Sequence, residues 1–325
     1  MKRRAFITLL GGAAAWPLAA RAQQGERMRR VGLLSVGAGD TAAQPSAFRE
    51  ALAKLGWVEG RNLHIELRFG GDSDVDIRRY AADLVKLAPD VIVTRGGSAT
   101  LAMQQLTRTI PIVTAGAGDP IAAGLIKDMA HPEGNITGVT NRAASVNGKL
   151  LELLKEAAPG VRRVAILQPN EGNAASFVAQ IDGAARALAL QAVHIPYRNA
   201  VDIVRGIDAF AAKPDGGLMA RAPALLTSAN RQVMLQLASQ YRLPTVSQFR
   251  EFAAEGWLIS YGNDPVEQDR RAAFYVDRLL RGAKVSELPL EFPTKYELII
   301  NLKTAKALGL TIPITLLGRA DEVIE

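Results

Sequence analysis

The sequence predicts an α/β protein of two consecutive doubly wound units, each built on a parallel sheet. Three observations predict it. Short, continuous, β-branched runs such as DVIVT (90–94) and TIPIV (109–113) recur along the chain, as expected of strands covered on both faces. Longer stretches with helical spacing lie between them, which is the βαβ pattern. The alternation runs to about residue 140 and then restarts. A length of 325 residues with 48% hydrophobic content suits two packed cores and excludes a disordered chain.

In the first unit, strands are expected at 30–36, 63–69, 90–94, 110–114 and 136–140. Helical spacing fills 45–55, 76–87, 98–108 and 120–129. In the second, a helix over 146–158 is closed by Pro159 and Gly160. Strands follow at 163–167, 192–196, 217–220, 245–247 and 258–261, with helices at 174–190, 201–212, 225–241 and 248–254. A long helix over 264–281, a strand at 296–301 and a short helix at 302–308 complete the pattern. These late elements must join sheets already built, so the tail is expected to recross between units. The expected division is 28–140 plus about 264–290 for the first, and about 141–263 plus about 291–325 for the second.

Residues 1–22 read as an export signal. Lys2, Arg3 and Arg4 precede an apolar stretch, and Ala20, Arg21 and Ala22 form a small-x-small cleavage site. Arg3 and Arg4 with Phe6 and Ile7 resemble the twin-arginine signature, although Thr8 stands where Lys is common. Cleavage after Ala22 and a periplasmic destination are expected. No later segment is long and apolar enough to span a membrane.

The net charge of +7 is concentrated in that leader, and its removal leaves 35 basic and 32 acidic residues. So small an excess does not suggest a nucleic-acid partner. Absence of cysteine excludes thiol nucleophiles, iron–sulfur clusters, Cys-ligated zinc and lipid attachment at a lipobox cysteine. The three histidines, His64, His131 and His194, show no ligand spacing, so no metal is expected. No Ser/His/acid order, nucleophile elbow or P-loop is visible.

Polar residues instead gather where strands end and helices begin, the place ligands bind in open α/β sheets. Ser35 stands near the end of the first strand. Gly96, Gly97 and Ser98 follow DVIVT and offer backbone N–H groups and a hydroxyl to a carboxylate. Asp119 and Pro120 read as a helix cap and first helical position. Asn141, Asn170, Arg221 and Tyr261 stand at four further corners. Residues 37–42 match G-x-G-x-x-A, with Glu59 or Glu66 as a possible ribose-binding acid, so an exported nicotinamide-dependent oxidoreductase is the rival.

Longer stretches carry a family likeness: 52–72 (LAKLGWVEGRNLHIELRFGGD), 87–94 (LAPDVIVT), 109–126 (TIPIVTAGAGDPIAAGLI), 132–140 (PEGNITGVT), 258–283 and 293–325. The chain resembles the substrate-binding proteins of bacterial ABC importers, in the branch related to tryptophan- and tyrosine-binding members. Glu133 and Trp257 depart from the usual pattern, each standing where that family commonly has glycine. The resemblance implies a type I periplasmic binding protein-like fold with an interdomain cleft, no cofactor and no enzymatic activity. It implies a monomeric receptor that holds an amino acid-like or other carboxylate-bearing molecule and delivers it to an ABC permease. The expected ligand contacts are Ser35, Gly97, Ser98, Asp119, Asn141, Asn170, Arg221 and Tyr261. An amino group would need an acceptor such as Asp119, Glu171, Asp215 or the Tyr261 hydroxyl.

Overall fold

The computed structural model describes residues 27–36, 43–71, 73–116, 118, 120–121, 123–140, 145–169, 174–220 and 228–325. The first sheet holds β1 (Arg29–Ser35), β2 (Leu63–Phe69), β3 (Val91–Arg95), β4 (Ile112–Ala115) and β5 (Ile136–Val139). Its order is β2-β1-β3-β4-β5 and every pairing is parallel. β3, β4 and β5 are buried along their whole length, which is why they read as continuous apolar runs rather than alternating ones.

Each face of this sheet has its own core. On one face Val31, Leu33, Val113 and Val139 pack with Phe48 and Leu52 of α1 (Ala43–Lys54). On the other, Leu34, Ile92 and Ile112 meet α2 (Asp74–Lys86) and α3 (Gly97–Leu106). α2 shows how the sequence sets such a helix. Ser73 caps it by accepting from the Asp76 N–H, Asp74 and Asp76 favour its positive end, and Ile77, Ala81 and Leu84 share its buried stripe. Burying a side chain such as Leu52 contributes roughly 1.5–3 kcal/mol.

The second sheet is larger. α4 (Ser145–Ala157) leads into β6 (Arg163–Pro169), α5 (Ala174–Ala187), β7 (Gln191–Tyr197), α6 (Ala200–Ala211) and β8 (Gly216–Ala220). α7 (Ser228–Gln240), β9 (Thr245–Ser247), α8 (Arg250–Glu255) and β10 (Ile259–Asn263) follow. The tail adds α9 (Pro265–Leu280), β11 (Tyr296–Asn301), α10 (Leu302–Leu308), α11 (Ile314–Leu317) and β12 (Glu322–Ile324). The order is β12-β11-β10-β9-β8-β6-β7, with β11 antiparallel to β10 and the remaining pairs parallel. The chain thus forms two α/β domains, the first around a parallel sheet and the second around a sheet that is parallel but for the β10–β11 pair.

α9 crosses back. It follows β10 of the second sheet, yet Ala272, Tyr275, Val276 and Leu279 pack beneath β3, β4 and β5 of the first. Asp277 accepts from the Trp57 indole N–H at 2.8 Å, fastening the helix there. Asp264 caps its start by accepting from the Val266 N–H, and Pro265 takes the first helical position. After α9 the chain runs along the edge of β5, where the Glu291 N–H donates to the Gly138 carbonyl at 2.9 Å, before it enters β11. The polypeptide therefore passes between the sheets after β5, after β10 and after Glu291.

One element differs from expectation. Described residues of 120–129 form turns rather than a helix. Leu125 N–H bonds back to the Pro120 carbonyl at 2.9 Å, and Gly124 takes φ +68°, which ends any helical path. Pro120 therefore does not open a helix. β12 and α11, absent from the sequence reading, are short and carry few periodic positions.

Candidate functional site

In parallel strands, the carboxyl ends and the following loops lie along one edge of the sheet, and the site is built there. At the first sheet, β1 ends in Ser35, which is buried and lies in register with Phe69 of β2 and Arg95 of β3. β3 then turns sharply at Gly96, whose φ is +98°. Gly96 is the N-cap of α3 and offers no side-chain cap. The first bond of the helical ladder runs from Thr100 N–H to the Gly96 carbonyl at 3.2 Å. The N–H groups of Gly97 and Ser98 precede it and have no place in that ladder. Ser98 is exposed in the first turn, with its hydroxyl in a helical position rather than at the cap.

The floor of this corner is rigid. Thr94 and Thr100 hydroxyls lie 2.8 Å apart, and the Thr100 hydroxyl also donates to the Gly96 carbonyl at 3.0 Å. Arg95 is 6% exposed, and its Nε–H donates to Oδ1 of Asp269, 1% exposed on α9, at 2.8 Å. Each charge of that pair is desolvated and answered by the other.

Four buried side-chain atoms find no partner, Thr114 Oγ1 and Thr140 Oγ1 at the strand ends of the first sheet and Asn147 Nδ2 and Tyr296 Oη at those of the second. Thr114 lies near the end of β4 and Thr140 just past β5. Asn147 is in the first turn of α4, and Tyr296 opens β11 opposite Asn263, the last residue of β10. Buried polar groups are ordinarily bonded, and each unpaired one costs about 1–3 kcal/mol. Two at the strand ends of each sheet therefore mark places where polar partners are wanted. Tyr296 stacks on Tyr261, with ring centroids 5.6 Å apart at 18°. Burial first, and the neighbouring Tyr261 second, push the Tyr296 hydroxyl above the ordinary tyrosine range.

Of the residues expected from sequence, Ser35, Gly97 and Ser98 meet at the edge of the first sheet, and half-buried Tyr261 stands near the matching end of β10. Asp119, Asn141, Asn170 and Arg221 lie outside the described residues, as do Glu171 and the 37–42 loop. Asp215 is a correction. It precedes β8, where its carbonyl accepts from the Arg162 and Arg163 N–H groups at the opposite edge, and so it cannot serve the site. Glu66 pairs with Arg68 and His64 on β2. Thr114, Thr140, Asn147 and Tyr296 are not among the contacts expected from sequence, because only their burial sets them apart. Among the described residues no group of three or more His, Asp or Glu could hold a metal ion, and no helix is long and apolar enough to cross a membrane.

Two α/β domains, three passages between them and polar groups collected at the strand ends are the features to compare with known proteins. The family profile described as ABC transporter substrate binding protein matches residues 36–324. The chain belongs to that family. A curated relative, the tyrosine-binding protein of Clostridioides difficile (strain R20291), is 24% identical over 264 residues, covering 81% of this chain and 75% of that one. Among solved structures, a conserved domain protein from Vibrio cholerae O1 biovar El Tor superposes with a TM-score of 0.85 at 25% identity, covering 91% of this chain and 100% of that chain. An ABC domain from Streptococcus pneumoniae in complex with L-Trp gives a TM-score of 0.84 at 21% identity, with 91% and 99% covered. The binding protein is therefore a substrate-binding member of an ABC importer system with amino acid-binding relatives. Family membership gives no support to the nicotinamide-dependent oxidoreductase.

Proposed function

We propose that this protein is an extracytoplasmic receptor that captures a free amino acid, or a similar carboxylate-bearing molecule, between its two domains and presents it to an ABC permease. One observation carries the reading: each domain has unpartnered buried polar atoms at the strand-end edge of its own sheet, and in the first domain that edge also holds the open helix start at Gly97 and Ser98. That start supplies N–H donors and the positive end of the α3 dipole to a carboxylate. The second domain contributes the Tyr261 face and the Asn147 amide. Asp119, Asn141, Asn170 and Arg221 belong to the same proposed set by their positions after strands. The names of the two amino acid-binding relatives support an aromatic amino acid as ligand.

Capture works by closure. A ligand favours the closed state only through contacts that it makes better there, so the site must draw on both domains. The division proposed from sequence, 28–140 with about 264–290 against about 141–263 with about 291–325, supplies two such halves. No general acid, base or nucleophile is required for this role, and the working unit is a monomer. The leader of residues 1–22 carries the chain to the periplasm and is removed after Ala22.

Mass spectrometry of small molecules released from natively purified, denatured protein, followed by calorimetry with the identified compound, tests the function. A carboxylate-bearing solute bound one to one is expected; release of a nicotinamide cofactor would contradict it. Replacing Arg3 and Arg4 by Lys should block export if the twin-arginine route is used, and unchanged periplasmic yield would reject that route.

A further inference from the structure

Within its first two turns, α9 reaches three different segments of the chain. Gln268 Nε2 donates to the Thr140 carbonyl at 2.9 Å, at the last described residue before the first passage between domains. Asp269 holds Arg95 at 2.8 Å, directly before Gly96 at the ligand corner. Arg271 grips Glu291 with two bonds, of 2.7 and 2.5 Å, where the third passage leaves the edge of β5. Glu291 is itself clipped by its backbone, donating to Gly138 and accepting from Thr140 N–H, both at 2.9 Å. The second passage is the start of α9. All three connections are thus tied to one helix, and the same stretch of helix holds the base of the ligand corner.

Stability alone does not explain this choice of residues. For the buried Arg95–Asp269 pair, apolar side chains of similar volume would serve packing at least as well, whereas an ion pair with directed bonds fixes orientation. Arg271 is oriented further by the Phe274 and Tyr275 rings, at 4.3 and 5.5 Å from its guanidinium carbon. We propose that Asp269 and Arg271 are positioning residues for ligand capture. They set the point on the first domain from which the three connections leave, relative to the corner at Gly97 and Ser98. The second domain then rotates against this fixed span of the first, and occupancy of the corner is transmitted through α9 to the angle between domains. The proposal rests on the cleft reading for its ligand arm and stands without it for its mechanical arm.

The chain has no cysteine, so single cysteines at exposed Lys86 on α2 and Arg205 on α6 accept spin labels without background. Distances between these labels are measured in the ligand-free mature protein by pulsed electron resonance. Arg271→Met should broaden the distribution, and the exchanged pair Arg271→Glu with Glu291→Arg should narrow it again. An unchanged distribution in the single variant, or a broadened one that the exchange leaves as it is, overturns the mechanical arm. For the corner, Arg95→Met with Asp269→Leu replaces the ion pair by apolar side chains and keeps the fold. Its melting temperature should match the parent while its Kd for L-tyrosine or L-tryptophan rises about tenfold, since misplaced donors reduce the competent fraction. An unchanged Kd overturns the part assigned to Asp269. A parent protein that binds neither amino acid refutes the proposed ligand class, and the distance measurements still decide the positioning role.

Discussion

Gly96 lies so close to Val36 that a methyl group on its Cα would fall 2.1 Å from Val36 Cγ2. Its φ of +98° is also one that side-chain-bearing residues rarely adopt. These two constraints let β3 turn at once into α3 and leave the first N–H groups of the helix facing the strand-end edge. Gly96→Ala should therefore cost about 1–3 kcal/mol of stability, read from denaturant unfolding. It should also weaken ligand binding by displacing the corner. A variant with parental stability would show that the turn is not held as described.

Ser98 gives a cleaner separation of binding from folding. It is exposed and does not cap α3, so Ser98→Ala should leave the apo melting temperature unchanged. Loss of one hydroxyl bond to a charged acceptor is worth roughly 1.5–3 kcal/mol, about tenfold or more in Kd. Unaltered affinity by calorimetry would remove the Ser98 hydroxyl from the site.

The unpartnered buried atoms make an opposite prediction for stability. Thr114→Val removes a polar group that has no bond in the ligand-free fold. The apo protein should melt at the same or a higher temperature, because no bond is lost and a desolvation cost disappears. Affinity should fall where the Thr114 hydroxyl meets ligand. A clear drop in apo stability would mean that the group is already satisfied.

Much of the fold was legible because it rests on local pattern. DVIVT, TIPIV and the neighbouring helical repeats give the parallel sheets, and the restart near residue 145 gives the second domain. What stayed hidden depends on distant partners. Tyr261 and Tyr296 meet only because β11 runs antiparallel beside β10, which no local spacing announces. Thr114 and Asn147 carry meaning only once their burial is known. Asp119 and Pro120 imitate a helix start, yet the turn that returns Leu125 to Pro120 decides otherwise. For the proposed site, sequence offers Ser35, Gly97, Ser98 and Tyr261 from their place at or after strand ends. Asp215 was misplaced because it stands before its strand, at the wrong edge.

Acid should loosen the third passage. The Arg271 hydrogen bonds hold the Glu291 carboxyl below its ordinary value of 4.5. A carboxylate lowered on folding contributes stability that is complete above the unfolded value and is lost as pH falls through the folded one. Melting temperature should therefore decline on acidification through and below about pH 4.5, and Glu291→Gln should flatten that part of the profile. An identical profile for the variant would assign the decline to other carboxylates.

A crystal structure of the mature protein grown with L-tyrosine tests the central claim most directly. The account predicts the amino acid between the strand-end edges of the two sheets, its carboxylate within hydrogen-bond distance of the Gly97 and Ser98 N–H groups and its other end against residues of the second domain. Ligand bound at the opposite edge, or held by one domain alone with the corner at Gly96 untouched, would contradict it.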